Sequence, residues 1–341
     1  MRAAARLLAR AMPRYHVFMG FLSLLCALVI EQVRPFSGGK RLRTWGGTWI
    51  DWVLENFDAG ASGQGVVYWS IAAVLPAGVV VAVHWALALW LGWFSAFVWN
   101  VAILYATLGF RQFSHYFTEV RNALEAGDDE TARHLLQSWT GALPAEAGRA
   151  EMIRLLVVQS VVSAHRHVFG VFAWYSLGSL LGLGPAGAVV YRIGAYLHTR
   201  AGLAGDAGSR ASPAAQRFAH QAWWFLDWLP VRVTALGFAF VGSFEESIDL
   251  WRRWELLRPG DNDALLIAAT AGAIGVQLEA PAAMASLAPL QGASEPPVSQ
   301  SGSWQKVPQV GHLAAVVGLV WRTVVMWLVL LALMTLARLL G

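Results

Sequence analysis

The feature that most constrains the fold is the stretch of 45 residues from Val66 to Phe110, which carries no ionisable side chain of Asp, Glu, Lys or Arg. A helix needs about 20 apolar residues to cross the hydrocarbon core of a bilayer, so this stretch has the length of two spans. We expect the two spans to be joined tightly between His84 and Leu91. Such a hairpin places the chain in a membrane.

The composition of the whole chain agrees with a membrane protein. Its 341 residues are 57% hydrophobic and only 13% charged, whereas soluble domains carry roughly 25% charged residues. Further apolar runs precede and follow the hairpin. We therefore predict an all-α, polytopic helical membrane protein with about five or six apolar segments and a helical cytoplasmic face.

Changes in hydropathy and charge along the chain predict its regions. Residues 111–154 form a soluble segment that should contain two helices. The first has an apolar face that includes Phe113, Phe117 and Leu124, and the second begins after Gly127 with carboxylates in its first turn. The predicted regions are a basic N-terminal helix with the first apolar segment (1–33), an interfacial loop (34–65), a transmembrane hairpin (66–110), a soluble helical segment (111–154), a membrane core (155–285), a flexible linker (286–311) and a C-terminal transmembrane helix (312–341).

The distribution of basic residues predicts the orientation. A tight hairpin returns the chain to the side that it left, so residues 34–65 and 111–154 share a face. Together these two regions hold nine Lys or Arg residues, four in the first and five in the second. Cytoplasmic loops are enriched in basic residues, which places this face in the cytoplasm. The N-terminus would then lie outside despite its four Arg residues, unless the first apolar run does not cross.

One stretch, Trp223 to Leu236, combines apolar residues with an acid, a proline and a base. Pro230 lacks a backbone N–H, which predicts that a helix here is kinked or begins anew. In one interpretation Asp227 caps that new helix and Arg232 reaches a lipid headgroup. In the other, Asp227, Arg232 and Arg192 form a buried polar cluster at the cytoplasmic edge, because an ionisable group in an apolar span usually marks a functional site.

Several other kinds of site are disfavoured by the sequence. Residues 182–187 match a dinucleotide fingerprint in their glycines, but they join two apolar helices and lack the strand that the fingerprint requires. His165 and His167 are two residues apart, so on a helix they cannot grip one metal ion. Cys26 is the only cysteine, which excludes an intramolecular disulfide. Arg residues lie mainly in loops, which favours a membrane partner over nucleic acid. We predict no metal site.

Four blocks of sequence resemble the CobD/CbiB family, and they keep the order of that family. Residues 123–133 resemble its soluble segment, and Gly184–Arg192 resembles its Gly-Gly-x-Pro-Gly-Ala-x-x-Tyr-Arg segment. Asp227–Ala235 is similar to its Asn-Trp-Ile-Pro-Ala-Arg-Leu-Thr-Ala, and Ala271–Leu278 to its Ala-Gly-Ala-Leu-Gly-Val-x-Leu. The resemblance covers roughly residues 110–285. It implies a membrane protein of cobalamin biosynthesis that makes adenosylcobinamide phosphate by attaching the aminopropanol arm as an amide.

The chain departs from that family's pattern at several acidic positions. Glu-Asn in the family reads His165-Arg166 here, and the Asp of Asp-Gly reads Phe169. The family's Asn-Thr-Leu-Asp ends in His198, and its Asn-Ala-Gly-x-Pro is reduced near Asn262. Amide formation driven by a nucleotide needs carboxylates to hold magnesium. We therefore expect that this chain does not catalyse that step.

Two functions remain open from the sequence. The first is a divergent member of the CobD/CbiB family that binds a corrinoid or a nucleotide at the membrane face. The second is a non-catalytic regulator or sensor like AmpE, a membrane protein linked to β-lactamase induction, whose Asp-Trp-x-Pro-Val-Arg matches Asp227–Arg232 closely. Neither the cofactor nor the catalytic residues follow from the sequence. The predicted ligand-binding or polar-cluster residues are Asp227, Arg232, Arg192, Tyr191, Gly184 and Gly187.

Overall fold

The described part of the chain is helical, as the sequence predicts. The computed structural model describes residues 19–34, 39–58, 63–141, 143–144, 147–202, 211–278 and 306–340. Within these ranges there is no β-strand, and a single parallel bridge joins Val276 to Lys306. The helices are α1 (Met19–Val33), α2 (Gly39–Phe57), α3 (Gln64–Trp90), α4 (Trp93–Thr107), α5 (Phe110–Glu125), α6 (Asp129–Thr140), α7 (Arg149–Ala164), α8 (Gly170–Leu180), α9 (Ala186–Gly202), α10 (Pro213–Val241), α11 (Phe244–Leu257), α12 (Asn262–Ile274) and α13 (Val310–Leu340).

Four of the described helical segments are long and apolar enough to cross a bilayer. They are Gln64–Trp90, Arg149–Leu180, Pro213–Val241 and Val310–Arg338. Helices α1, α4 and α12 are apolar but shorter. The prediction of an all-α, multi-pass membrane protein is therefore confirmed. The predicted hairpin turns at Leu91 and Gly92, and its second arm, α4, has 15 residues, which at 1.5 Å per residue is about 22 Å long.

The soluble segment folds as the two predicted helices. Phe117, Val120 and Leu124 are buried on α5, whereas the side chain of Phe113 lies outside the described residues. Asp128 caps α6, because its carboxylate accepts a hydrogen bond of 3.0 Å from the Thr131 amide. Hydrogen bonds from the Thr131 hydroxyl and from the Thr131 amide lower the pKa of the Asp128 carboxyl. The start and the apolar face of these helices were thus correctly predicted from local sequence signals. Much of 286–311, the predicted linker, lies outside the described residues.

The chain divides into two compact units. The first contains the described residues of Met1–Arg111, Arg166–Pro230 and Leu328–Gly341, and the second those of Gln112–His165 and Val231–Trp327. In the first unit, α2, α3, α9 and the first part of α10 pack around a core that includes Tyr68, Trp69 and Leu197, and α8 packs on α9. In the second, α11 packs closely on α12, because Gly242 and Gly272 let backbones approach.

Of the two predicted outcomes at Pro230, a kink or a new helix, the new helix is wrong, because α10 runs without a break from Pro213 to Val241. Proline has no N–H to give to the carbonyl four residues earlier, which here belongs to Leu226. The indole of Trp174 donates to that carbonyl over 2.9 Å. A backbone acceptor inside a membrane needs such a partner, since no water is present to supply one. The helix therefore continues, and Asp227 is not a cap.

The same arrangement occurs at a second proline. Pro76 lies inside α3, and the carbonyl that its missing N–H would have bonded belongs to Ala72. The indole of Trp49 in α2 donates to the Ala72 carbonyl over 3.3 Å. In two proline-containing helices, the backbone carbonyl that lacks its usual N–H donor therefore accepts a hydrogen bond from a tryptophan side chain of a neighbouring helix.

We expect Trp174→Phe to lower the free energy of unfolding by about 1–3 kcal/mol, because the Leu226 carbonyl would lose its donor. Pro230→Ala restores an N–H at that position, so the loss should be smaller in the double variant. Reversible unfolding in detergent measures both. Trp90→Phe is the control, since Trp90 is 83% exposed and its replacement should change little. Equal losses with and without Pro230→Ala would contradict this role of Trp174.

Candidate functional site

The candidate site lies in the first unit, and a turn of π-helix contributes one of its side chains. Residues His165–Phe169 form this turn between α7 and α8. Such turns are rare and frequently occur at functional sites. The turn presents the guanidinium of Arg166, whose Cζ lies 5.5 Å from the centroid of the Trp223 ring, a cation–π geometry. The π-turn therefore brings a positive charge to the face of an aromatic ring on α10.

A buried hydrogen bond joins α9 to α10 at the same place. The Tyr191 hydroxyl donates to Oδ1 of Asp227 over 2.7 Å, and both residues are fully buried. Burial holds the pKa of the Tyr191 hydroxyl well above its ordinary value, and Asp227 raises it further. Tyr191 thus remains a protonated donor to the carboxylate. Gly170 makes room for the ring, because a Cβ at that position would lie 2.1 Å from Cζ of Tyr191.

Two histidines complete the arrangement around the Trp223 ring. The ring of His198 stacks on Trp223 with centroids 5.5 Å apart and planes at 23°. Its Nδ1 lies 3.1 Å from Nδ1 of His220, so one of these nitrogens carries the hydrogen and the other accepts it. Burial lowers the pKa of His198 to about 4, and the nearby Arg166 and His220 lower it further. His198 is therefore neutral at physiological pH.

These side chains form one group, which we name the Trp223 cluster. The Arg192 guanidinium belongs to it through a hydrogen bond of 3.3 Å to the backbone carbonyl of Arg166. Two guanidinium groups outnumber the one carboxylate, so these side chains carry a net positive charge. The cluster therefore combines positive charge with aromatic surface, which suits an anion attached to a flat group. Its members are Arg166, Tyr191, Arg192, His198, His220, Trp223 and Asp227.

Arg232 lies in the second unit, where it forms hydrogen bonds with other residues of that unit. It donates to Oε1 of Glu255 over 2.9 Å and to Oδ1 of Asn262 over 3.5 Å. The other oxygen of Glu255 accepts a hydrogen bond from the Trp251 indole. Of the residues predicted from the sequence, Tyr191, Arg192 and Asp227 thus fall in the Trp223 cluster. The membership of Arg232 in a cluster with Asp227 stays a proposal.

The two predicted glycines serve helix packing. Gly184 has φ +56°, and a Cβ there would lie 2.9 Å from the His84 ring. A Cβ at Gly187 would lie 2.2 Å from the backbone oxygen of Trp174. Backbone cannot move aside easily, so only glycine lets α9 approach α8 this closely. These contacts explain the glycines without a ligand.

Sequence reasoning missed His220 and Trp223 as site residues. Their spacing could have revealed them, since positions 220, 223 and 227 lie on one face of a helix. Nothing in the sequence indicated that Arg166 and His198 meet that face. Both lie on other helical segments, and only the packing of these segments brings them to one ring.

The cluster does not fit a magnesium ion. Magnesium prefers several oxygen ligands, whereas the ionisable members here are two guanidinium groups, two imidazoles, a phenol and one carboxylate. Among the described residues, no group of three or more His, Cys, Asp or Glu side chains could hold a metal ion. Phe169, on the π-turn, is a fully buried apolar side chain and offers no oxygen.

Comparisons with known proteins give a consistent picture. The family model described as CobD/Cbib protein matches residues 24–301. A Chromobacterium violaceum protein named "Cobalamin biosynthesis protein CobD" is 27% identical over 272 residues, which cover 78% of this chain and 75% of that protein. A Stutzerimonas stutzeri protein of the same name is 25% identical over 318 residues, covering 91% and 96%. No solved structure matches this chain.

Proposed function

Since the chain belongs to the CobD/CbiB family of cobalamin-biosynthesis membrane proteins, we propose that it binds an anionic corrinoid or nucleotide at the Trp223 cluster without forming the family's amide bond. The relatives named above are bacterial, which supports a bacterial inner membrane as its location. The two ligand classes share the same chemistry, which is a phosphate or carboxylate group beside a large flat ring.

The observation that carries this proposal is that Arg166, His198 and Asp227, for which the resemblance implies other side chains, lie in one cluster. Arg166 stands where the pattern has Asn, His198 where it has Asp, and Asp227 where it has Asn. Arg166 and His198 both lie against the Trp223 ring, and Asp227 is bonded to Tyr191, whose ring centroid is 5.1 Å from that of Trp223. At these three neighbouring positions, the charges of the side chains therefore differ together from those that the family resemblance implies.

The altered charges favour binding an anion over holding a metal-bound nucleotide. Arg166 and Arg192 are permanently charged, and each planar guanidinium can donate two hydrogen bonds to two oxygens of a phosphate or carboxylate. Asp227 already accepts a hydrogen bond from Tyr191, and Phe169 offers no oxygen. The donors that remain can position an anionic ligand. They lack the oxygens with which magnesium would neutralise the phosphates of a nucleotide during amide formation.

Binding of a corrinoid acid to the protein in lipid nanodiscs tests this proposal. The corrinoid is coloured, so equilibrium dialysis measures it directly. We expect Arg166→Gln to weaken binding by roughly tenfold, which corresponds to about 1.4 kcal/mol, and added salt to weaken binding to the unaltered protein. Arg121→Gln, on the soluble helix α5, is the control and should bind normally. Equal affinities for all three proteins would contradict a role of the cluster.

A second function keeps some support. The stretch Asp227–Arg232 is similar to AmpE, and Asp227 is fully buried and bonded to Tyr191. A residue held in this way can serve the structure alone, as in a non-catalytic membrane regulator. If neither a corrinoid acid nor a nucleotide binds to the unaltered protein, this alternative is favoured.

A further inference from the structure

His220 lies at the exposed edge of the Trp223 cluster. It belongs to the polar first part of α10, between Arg217 and Gln221 and ahead of the apolar run that follows. The side chain of His220 is exposed, whereas that of His198 beside it is half-buried. The centroids of the two imidazole rings are 4.8 Å apart, and their planes lie at 90°. The imidazole of His220 is therefore open to a ligand that approaches the cluster from outside.

The hydrogen bond between the two imidazoles prepares His220 to bind a metal centre through its other nitrogen. Nδ1 of His220 lies 3.1 Å from Nδ1 of His198, and burial lowers the pKa of His198 to about 4, so that ring keeps a lone pair with which to accept. When Nδ1 of His220 donates, the lone pair of its neutral ring is on Nε2. Histidines that bind metals almost always donate their other ring N–H to a neighbouring acceptor, which fixes the ring and raises its basicity.

Two imidazoles are too few to hold a free metal ion. Zinc sites use about three or four protein ligands, and the described residues contain no group of three or more side chains of the kinds that hold a metal. The cobalt of a corrinoid is different, because the corrin ring already supplies the nitrogens of one plane and leaves only the axial positions. Histidine fills such an axial position on the iron of haem. A single histidine therefore suits a metal that arrives inside a flat ring.

We infer that Nε2 of His220 coordinates the cobalt of the corrinoid proposed to bind at the Trp223 cluster. The inference rests on that proposed function and chooses between its two ligand classes, since a nucleotide carries no metal centre. The lone pair of Nε2 forms the Co–N bond and a water molecule leaves the axial position, with no change in the oxidation state of cobalt. Arg166 lies over the ring of Trp223, one helical turn from His220, so it can hold an acidic side chain of the same corrinoid.

Electron paramagnetic resonance of the bound corrinoid tests this inference, because the unpaired electron of Co(II) lies along the axial bond. The probe is a corrinoid acid without a nucleotide loop, reduced to Co(II) by dithionite and added to the protein in lipid nanodiscs. The buffer contains no imidazole and is held at about pH 8, above the ordinary pKa of histidine. We expect one axial nitrogen to split each cobalt line into a triplet. Protein made with 15N-labelled histidine should give doublets instead.

Variants identify which histidine supplies the nitrogen. His220→Gln should lose the splitting, and His220→Asn takes its place if that variant does not fold. His115→Gln is the control, because His115 is an exposed histidine on the soluble helix α5, and it should keep the splitting. Splitting that persists without His220, or that labelled histidine does not alter, would overturn the inference.

Equilibrium dialysis of the same samples separates this inference from the function on which it rests. Corrinoid that binds to the unaltered protein without any splitting by nitrogen overturns ligation by His220 and leaves the proposed function in place. If the corrinoid acid does not bind at all, the corrinoid function and the inference fail together.

Discussion

Asp227→Ala is expected to lower the free energy of unfolding by about 3–5 kcal/mol, the usual cost of removing one partner from a buried charged network. The carboxylate is fully buried and accepts the Tyr191 hydroxyl. Its charge acts on Tyr191 together with those of Arg166 and Arg192. Without it, two guanidinium groups lose their counter-charge and one phenol loses its acceptor. A buried polar group that loses its partner in this way keeps the cost of its removal from water.

Reversible unfolding in detergent measures this loss. Asp249→Ala is the control, because Asp249 forms an exposed pair with Arg253 and such pairs contribute roughly 0–1 kcal/mol. Tyr191→Phe should cost less than Asp227→Ala, and the two changes together should cost less than their sum. A loss for Asp227→Ala no larger than that for Asp249→Ala would refute a buried network.

The same approach tests the cluster proposed from the sequence. Arg232→Ala breaks the bonds to Glu255 and Asn262, so a large loss by itself does not show coupling to Asp227. Only a double variant whose loss is less than the sum of the two single losses would show it. Additive losses would leave Arg232 as a residue of the second unit alone.

The fold class follows from local properties of the sequence. Long uncharged runs such as Val66–Phe110 have few ways to satisfy their backbone in lipid other than as helices. The beginning of α6 likewise follows from Asp128 and the carboxylates after it. These features depend on residues that are close in sequence, so composition and spacing are enough to predict them.

The candidate site could be predicted only in part, because it depends on contacts between distant residues. Trp174 and Leu226 are 52 positions apart, and their bond is what carries α10 past Pro230. Without that contact, proline chemistry alone predicts a break, and Asp227 then looks like a cap. Likewise, the positions of Arg166 and His198 show two departures from a pattern, but not that both meet Trp223.

The second large effect concerns catalysis. We expect this protein not to form the amide bond that the family resemblance implies, with turnover lower than that of an active family enzyme by roughly 10³-fold or more. Removing a side chain that stabilises the charge on a phosphoryl group during its transfer lowers the rate by a factor of this size. The family resemblance implies acids at the positions that His198 and Phe169 occupy. His198 is held neutral against Trp223, and Phe169 lies in the apolar core.

A purified family enzyme assayed in parallel makes the comparison quantitative. Both proteins are placed in the same nanodiscs, and binding of the corrinoid acid is measured first. If the protein still binds the corrinoid acid, a lack of product reflects loss of the chemical step and not loss of ligand binding. Asp128, Asp129, Asp261 and Asp263 remain as carboxylates that could supply oxygens elsewhere, so the assay includes magnesium throughout.

The most direct test of the account is the amount of amide product formed from a corrinoid acid, an amino-alcohol phosphate and ATP, followed by mass spectrometry. We predict that the protein binds the corrinoid acid, that Arg166→Gln weakens this binding, and that no amide product accumulates above the level without enzyme. Robust formation of the amide by the unaltered protein would contradict it.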